Sequence, residues 1–184
     1  MGPRTVTFVA LLRGINVGGK NKLAMKDLVA IFEDSGCTDV RNYIQSGNVV
    51  FRANKDAGDR TASLVRKAIA QDHGLQVPVV VRSASEMVEV AQSNPFLEDG
   101  SGAAEHLHVM FLADTPEKAH VATLDHARSH PDVFVPRGRE IFLLLPNGVA
   151  RSKLTNAYFD SALRTVSTSR NWKTVLTLAG MAGG

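Results

Sequence analysis

The residues best suited to chemistry form one stretch, Leu11-Leu12-Arg13-Gly14-Ile15-Asn16-Val17-Gly18-Gly19-Lys20-Asn21-Lys22. There an apolar run opens into a turn rich in glycine, asparagine and cations. Gly14, four residues, Gly19 and Lys20 nearly reproduce a nucleoside-triphosphate loop, whose backbone N–H groups cradle phosphates. Asn21 stands where that loop needs the Ser or Thr hydroxyl that holds Mg²⁺, which argues against triphosphate hydrolysis. Anion binding is the chemistry that survives. Glycines allow close backbone approach, a following helix adds its positive end, and Arg13, Lys20 or Lys22 supplies charge.

Two other places carry compatible chemistry. Gln45-Ser46-Gly47-Asn48 reads first as a hairpin turn, yet Gln45 and Asn48 offer donors and acceptors beside a strand end. Arg170 precedes a helix start at Asn171-Trp172, and its planar fork suits carboxylate or phosphate, or bracing of the glycine loop. Asn171 is placed to cap that helix, and Trp172 reads as a core anchor. The expected ligand-binding set is Arg13, Gly14, Asn16, Gly18, Gly19, Lys20, Gln45, Ser46, Asn48, Arg170 and Asn171. Polar and cationic residues in blocks so far apart along the chain are expected to converge on one basic pocket. Its catalytic residues are unknown, and neither a metal nor a cofactor is expected.

Other constellations are thinner. His106 and His108 share a strand face, and His126 and His130 share the face of an expected helix, but no zinc spacing joins them. Ser152-Lys153 lacks the spacing of a serine–lysine nucleophile and reads as a polar helix start. Asp114 can mimic a metal-binding acid or simply cap a helix. Cys37 is the single cysteine, without a disulfide partner, and after Gly36 it reads as a small apolar residue at a helix end.

The elements that must position these residues follow from periodicity. Val6 to Leu12 is a buried strand. Met25, Leu28, Val29 and Phe32 repeat at helical spacing until Gly36. Val40–Gln45 and Val49–Phe51 flank the Ser46-Gly47-Asn48 turn as a hairpin. A second helix runs through Leu64–Ile69 to Gly74, and Val77–Val81 is a strand. Ser83-Ala84-Ser85-Glu86 is a capping box for a bridging helix that stops at Asn94-Pro95. His108–Leu112 is a strand, Thr115-Pro116 starts a helix through about His126, and Val133–Val135 pairs with Ile141–Leu145 across Arg137-Gly138. A helix near Leu154–Leu163, a short strand near Thr165–Ser167 and a helix from Asn171 complete the chain.

The order strand, helix, strand, strand, helix, strand therefore occurs twice, which predicts an α/β (α+β) fold of duplicated ferredoxin-like βαββαβ units with antiparallel or mixed sheets packed together. The expected division is residues 1–82 as the first unit and 83–184 as bridging helix, second unit and terminal helix. A chain of 184 residues buries enough surface to fold without disulfides or metal.

Three patches resemble a known family. Leu11–Lys22, Tyr43-Ile44-Gln45-Ser46-Gly47-Asn48-Val49 and Ser169-Arg170-Asn171-Trp172-Lys173-Thr174-Val175 are similar to signature blocks of the DUF1697 family, a bacterial group of unassigned function. Asn94-Pro95-Phe96 and Arg151-Ser152-Lys153-Leu154 fit the same pattern, so the resemblance spans nearly the whole chain. Ser169 and Lys173 stand where Thr and Asn are expected. The resemblance implies a duplicated ferredoxin-like architecture and brings no catalytic residues.

Charge narrows the partners. The net +3 is small for a dedicated nucleic-acid binder, but residues 1–26 carry Arg4, Arg13, Lys20, Lys22 and Lys26 with no acid, and residues 161–184 carry Arg164, Arg170 and Lys173 with none. The intervening residues hold a net −5. No stretch approaches the roughly 20 apolar residues of a membrane helix, a signal-peptide core is missing, and Met1-Gly2-Pro3 only mimics a myristoylation start because Val6 replaces Ser or Thr. A cytoplasmic protein without membrane association is expected, as monomer or homodimer.

The first reading is thus a binding protein for a small anionic, phosphate- or nucleotide-like ligand. The second is an enzyme acting on a small anionic substrate in the same pocket. A minor third is RNA binding, which the βαββαβ order permits; the central strand Asn48–Arg52 offers Phe51 but lacks alternating aromatics, and only 6% of the chain is aromatic. A structural role through homo-oligomerisation at a sheet edge is the remaining alternative.

Overall fold

The chain alternates apolar strands with amphipathic helices, and in the computed structural model, which describes residues 5–183, those elements form two compact units. Met1–Arg4 and Gly184, and with them the Met1-Gly2-Pro3 start and the Arg4 charge, lie outside the described residues. One unit comprises Met1–Glu89 together with Leu178–Gly184, and the other Val90–Thr177.

In the first unit β1 (Thr5–Leu12), α1 (Met25–Asp34), β2 (Thr38–Tyr43), β3 (Asn48–Asn54), α2 (Gly58–His73) and β4 (Val79–Ser83) follow in that order. The strands make an antiparallel sheet in the order β2-β3-β1-β4. Phe8, Ala10 and Leu12 of β1 and Val49, Phe51 and Ala53 of β3 pack with Leu28 and Phe32 of α1 and Val65 and Ile69 of α2. Phe8 and Phe51 stack at 5.6 Å. Val9 and Leu11, on the opposite face of β1, are also fully buried, which is why that strand reads as a continuous apolar run rather than an alternation.

The second unit repeats the order with β5 (Leu107–Leu112), α5 (Lys118–Val121), β6 (Val133–Arg137), β7 (Glu140–Leu144), α6 (Asn156–Leu163) and β8 (Ser167–Asn171), in a sheet ordered β6-β7-β5-β8. Met110, Leu112, Ile141, Leu143, Phe134, Phe159 and Leu163 form its core. The predicted α+β architecture with antiparallel sheets is the one observed. The registers of the two sheets correspond closely: Val9 faces Val50 and Arg82, and Val109 faces Phe142 and Arg170.

The helices that follow β4 and β8 start alike. Ser83 opens α3 (Ala84–Gln92) with the expected reciprocal box: its N–H donates to Glu86 Oε2 at 2.7 Å, and its Oγ accepts from Glu86 N–H at 3.3 Å. Asn171 opens α7 (Trp172–Gly183) by accepting from Thr174 N–H at 2.8 Å. Between them Asn94 caps the single turn α4 (Pro95–Glu98) through Phe96 N–H, with Pro95 at its first position.

Besides β4, which is shifted from the expected Val77–Val81 to Val79–Ser83, two elements differ from expectation. The helix expected over 115–126 is only the one turn α5, because polar side chains beyond it capture the backbone: Thr123 Oγ1 donates to His120 O, and the Asp125 carboxylate accepts from Ala127 N–H. His126 and His130 therefore share no helix face. The last strand lies at 167–171 rather than 165–167. Ser167 is buried in it because its hydroxyl donates to Asp160 Oδ1 at 2.6 Å and accepts from Asn156 Nδ2 at 2.9 Å.

Candidate functional site

Residues 13–24 join β1 to α1, and local hydrogen bonds dictate their path. Val17 and Lys20 form a β-bridge, with Lys20 N–H donating to Val17 O at 3.1 Å around Gly18 and Gly19, both at positive φ. That is the primed turn a two-residue hairpin requires, and glycine supplies it without strain. Asn21 Nδ2 donates to Gly14 O at 2.9 Å and Asn16 N–H donates to Asn21 O, closing the base of the loop. The expected phosphate-cradle glycines are thus the tip of a small hairpin, and α1 begins only at Met25.

Asn16 fastens this hairpin to its surroundings. Its Oδ1 accepts from Leu23 N–H at 2.9 Å, and its Nδ2 donates to Leu23 O at 2.8 Å and to Gln45 O at 3.0 Å. One side chain therefore ties the segment leading into α1 to the turn between β2 and β3. That turn contains Ile44, a β-branched residue at φ 50° with half its surface exposed. At Gly47 an added Cβ would lie 2.8 Å from Leu12 Cβ and 3.0 Å from Ile15, and Gly47 O accepts from Leu12 N–H, so only glycine fits. Asn48 is fully buried and donates to Tyr43 O and Ser46 Oγ.

Between hairpin, helix and turn lies a cleft of about 570 Å³, all of it within the first unit. Asn16, Gly19 and Lys22 of the hairpin, Leu23, Ala24 and Met25 at the entrance to the helix, and Gln45 of the turn line it. Lys20 and Lys22 are exposed, and neither ammonium has a partner among the described residues. The Gln45 side-chain amide is likewise without a hydrogen bond among them. No side chain caps α1 at Ala24; the Asp27 and Leu28 N–H groups donate to Ala24 O, and Asp27 in the first turn offsets part of the positive end of the helix.

The remaining expected site residues are distributed as follows. Arg13 is half-buried, its N–H donating to Pro78 O at 3.0 Å. Ser46 and Asn48 bond to one another, and neither lines the cleft. Arg170 and Asn171 belong to the second unit, on β8. Arg170 Nη1 donates to Thr168 Oγ1 and Ser169 O, and burial pushes its guanidinium down to about 10, which leaves it charged at neutral pH. Lys22, one of the cations expected to supply charge, lines the cleft, whereas Leu23, Ala24 and Met25 join it with no polar or cationic signature of their own. Among the described residues no three His, Cys, Asp or Glu side chains gather as a metal site.

The second unit supplies an internal comparison. Leu12 N–H donates to Gly47 O and Arg13 N–H to Pro78 O; at the matching positions Leu112 N–H donates to Arg139 O and Ala113 N–H to Val166 O. From that common frame the second unit reaches α5 through residues 113–117, whereas the first takes residues 13–24 to reach α1. The short version carries Asp114 and Glu117, and the long one Lys20 and Lys22.

Residues 6–142 match the family described as "Protein of unknown function (DUF1697)". A solved structure, that of the conserved bacterial protein SP0830 from Streptococcus pneumoniae, is similar over 98% of this chain and 100% of its own, with 22% identity and a TM-score of 0.72. That likeness concerns the fold alone. No curated protein matches the sequence.

Proposed function

The chain belongs to the DUF1697 family, and from that premise we propose that it binds a small anionic, phosphate-bearing ligand in the cleft between the 13–24 hairpin, the start of α1 and the 44–47 turn. The observation that carries this reading is the comparison of the two matching corners. The second unit shows that five residues suffice to leave the strand, so the longer, glycine-turned and lysine-bearing hairpin of the first is not demanded by the fold. An unpaired Lys22 in a cleft that also takes in the uncapped start of α1 favours a negative ligand.

The cleft favours binding over turnover. Of its lining residues Lys22 alone is titratable, which leaves an enzyme in the same pocket without a paired acid and base. RNA recognition on the sheet finds less support, because Phe51 is buried against Phe8 and Phe32 and offers no exposed stacking face. Assembly through two of the four outer strands is also disfavoured: β2 has a register shift with Asp39 at φ 49°, and β6 contains Pro136. Among the described residues no helix is long and apolar enough to cross a membrane, and a lone buried Cys37 suits the reducing cytoplasm.

Thermal unfolding with added inorganic phosphate tests the reading. Phosphate should raise the midpoint, and Lys22→Ala should weaken that rise more than Arg60→Ala, whose arginine lies exposed on α2. Equal rises in the two variants, or no rise in the parent, would overturn it.

A further inference from the structure

The cleft is too large for its anion alone. Its volume of about 570 Å³ lies inside the roughly 300–1,000 Å³ range of sites that take organic ligands of drug size. An inorganic phosphate would fill a small fraction of it and leave Met25 and Gln45 facing water. The lining is divided accordingly. Lys22 brings a charge, Leu23, Ala24 and the half-buried Met25 apolar groups, and Gln45 a carboxamide.

Gln45 is the informative residue. Its main-chain carbonyl is held by Asn16 Nδ2 at 3.0 Å, so the backbone carrying it is fixed to the hairpin. Its side-chain amide has no hydrogen bond among the described residues, and the residue is one of those lining the cleft. The adjacent Asn16 is its opposite: three hydrogen bonds engage both ends of its amide, leaving little capacity for a ligand. A free carboxamide on an anchored backbone presents a donor and an acceptor side by side, the pattern that pairs with the edge of a heterocyclic base. Met25, in the same lining, offers a polarizable thioether, which packs well against an aromatic ring.

Resting on the anion-site reading above, we infer that the ligand is a nucleoside monophosphate, with its phosphate held by Lys22 and its base edge read by Gln45. Gln45 is then the specificity-determining residue of the cleft. Asn16 is a positioning residue that fixes the Gln45 backbone to the segment entering α1.

Isothermal titration of the full chain with adenosine monophosphate, the other common nucleoside monophosphates, ribose phosphate and inorganic phosphate tests this. At least one nucleoside monophosphate should bind about tenfold or more tighter than ribose phosphate. Gln45→Ala should abolish that preference while leaving ribose phosphate affinity within about twofold, and Lys22→Ala should weaken every phosphate compound. Gln45 is exposed, so the variant should unfold at the parent's midpoint, which serves as the folding control. If nucleoside monophosphates bind no tighter than ribose phosphate, or if Gln45→Ala leaves the preference intact, the base-reading role is overturned while the anion site stands. If no phosphate compound binds, both fall.

Discussion

Asn16 reaches across 29 positions of sequence to hold Gln45, its Nδ2 lying 3.0 Å from the Gln45 carbonyl oxygen. With its two bonds to Leu23, this makes a single side chain the clasp between hairpin, helix entrance and turn. Removing it deprives Leu23 N–H and two carbonyls of partners. Asn16→Ala should therefore lower unfolding stability by about 1–3 kcal/mol, measured by urea denaturation, and weaken phosphate-induced stabilisation as well. A stability loss with unaltered phosphate response would show that the clasp is not needed to shape the cleft.

The glycines of the site divide into two kinds. Gly47→Ala drives a Cβ to 2.8 Å from Leu12 and 3.0 Å from Ile15 at φ 79°, so steric overlap adds to left-handed strain; a loss of about 3 kcal/mol or more is expected. At Gly18 nothing lies within 4 Å of the added carbon, and only the conformational cost of about 1–2 kcal/mol remains. Equal losses in thermal unfolding would contradict the tight packing at Gly47.

Much of the framework is legible because it rests on local signals. The continuous apolar run Val6–Leu12, the Ser83–Glu86 box and the Asn94-Pro95 cap each point to their element without knowledge of the rest. The strand β8 is not legible, since Ser167-Thr168-Ser169-Arg170-Asn171 shows no apolar period; its burial depends on Asp160 and Asn156, placed by α6. The same limit applies to the site. Asn16 is recognisable as polar and turn-forming, but its partners are main-chain groups of Leu23 and Gln45, which carry no signature of their own. Lys22 and Met25 become cleft residues only through the length of the hairpin, a feature made visible by the shorter corner at residues 113–117.

Trp172 separates stability from binding. It is 3% exposed at the start of α7, so its indole is core, and Trp172→Ala should cost about 3–5 kcal/mol. Lys20→Ala, at the exposed end of the hairpin turn, should stay within about 0.5 kcal/mol yet reduce phosphate-induced stabilisation. Comparable small losses in chemical denaturation would place Trp172 outside the core.

The last expectation concerns pH. His108 lies on β5 between Leu143 and Asn171, both neutral, and its Nδ1 is buried without a hydrogen-bond partner among the described residues. Desolvation disfavours the imidazolium and holds its pKa below the ordinary 6.5, with the backbone of His106 opposing the shift in part. A folded pKa below the unfolded one means that the unfolded chain takes up the proton first. Stability is then fully present above pH 6.5 and declines as pH falls from that value toward the depressed folded pKa. Replacing the imidazole with a group that does not titrate removes this dependence. In urea titrations at a series of pH values, the parent and His108→Gln should differ by a constant amount above about pH 7, and the variant should gain on the parent as pH drops toward about 5. Parallel curves across that window would mean that the imidazole ionises as freely in the folded chain as in the unfolded one, and that its burial is not felt by the proton.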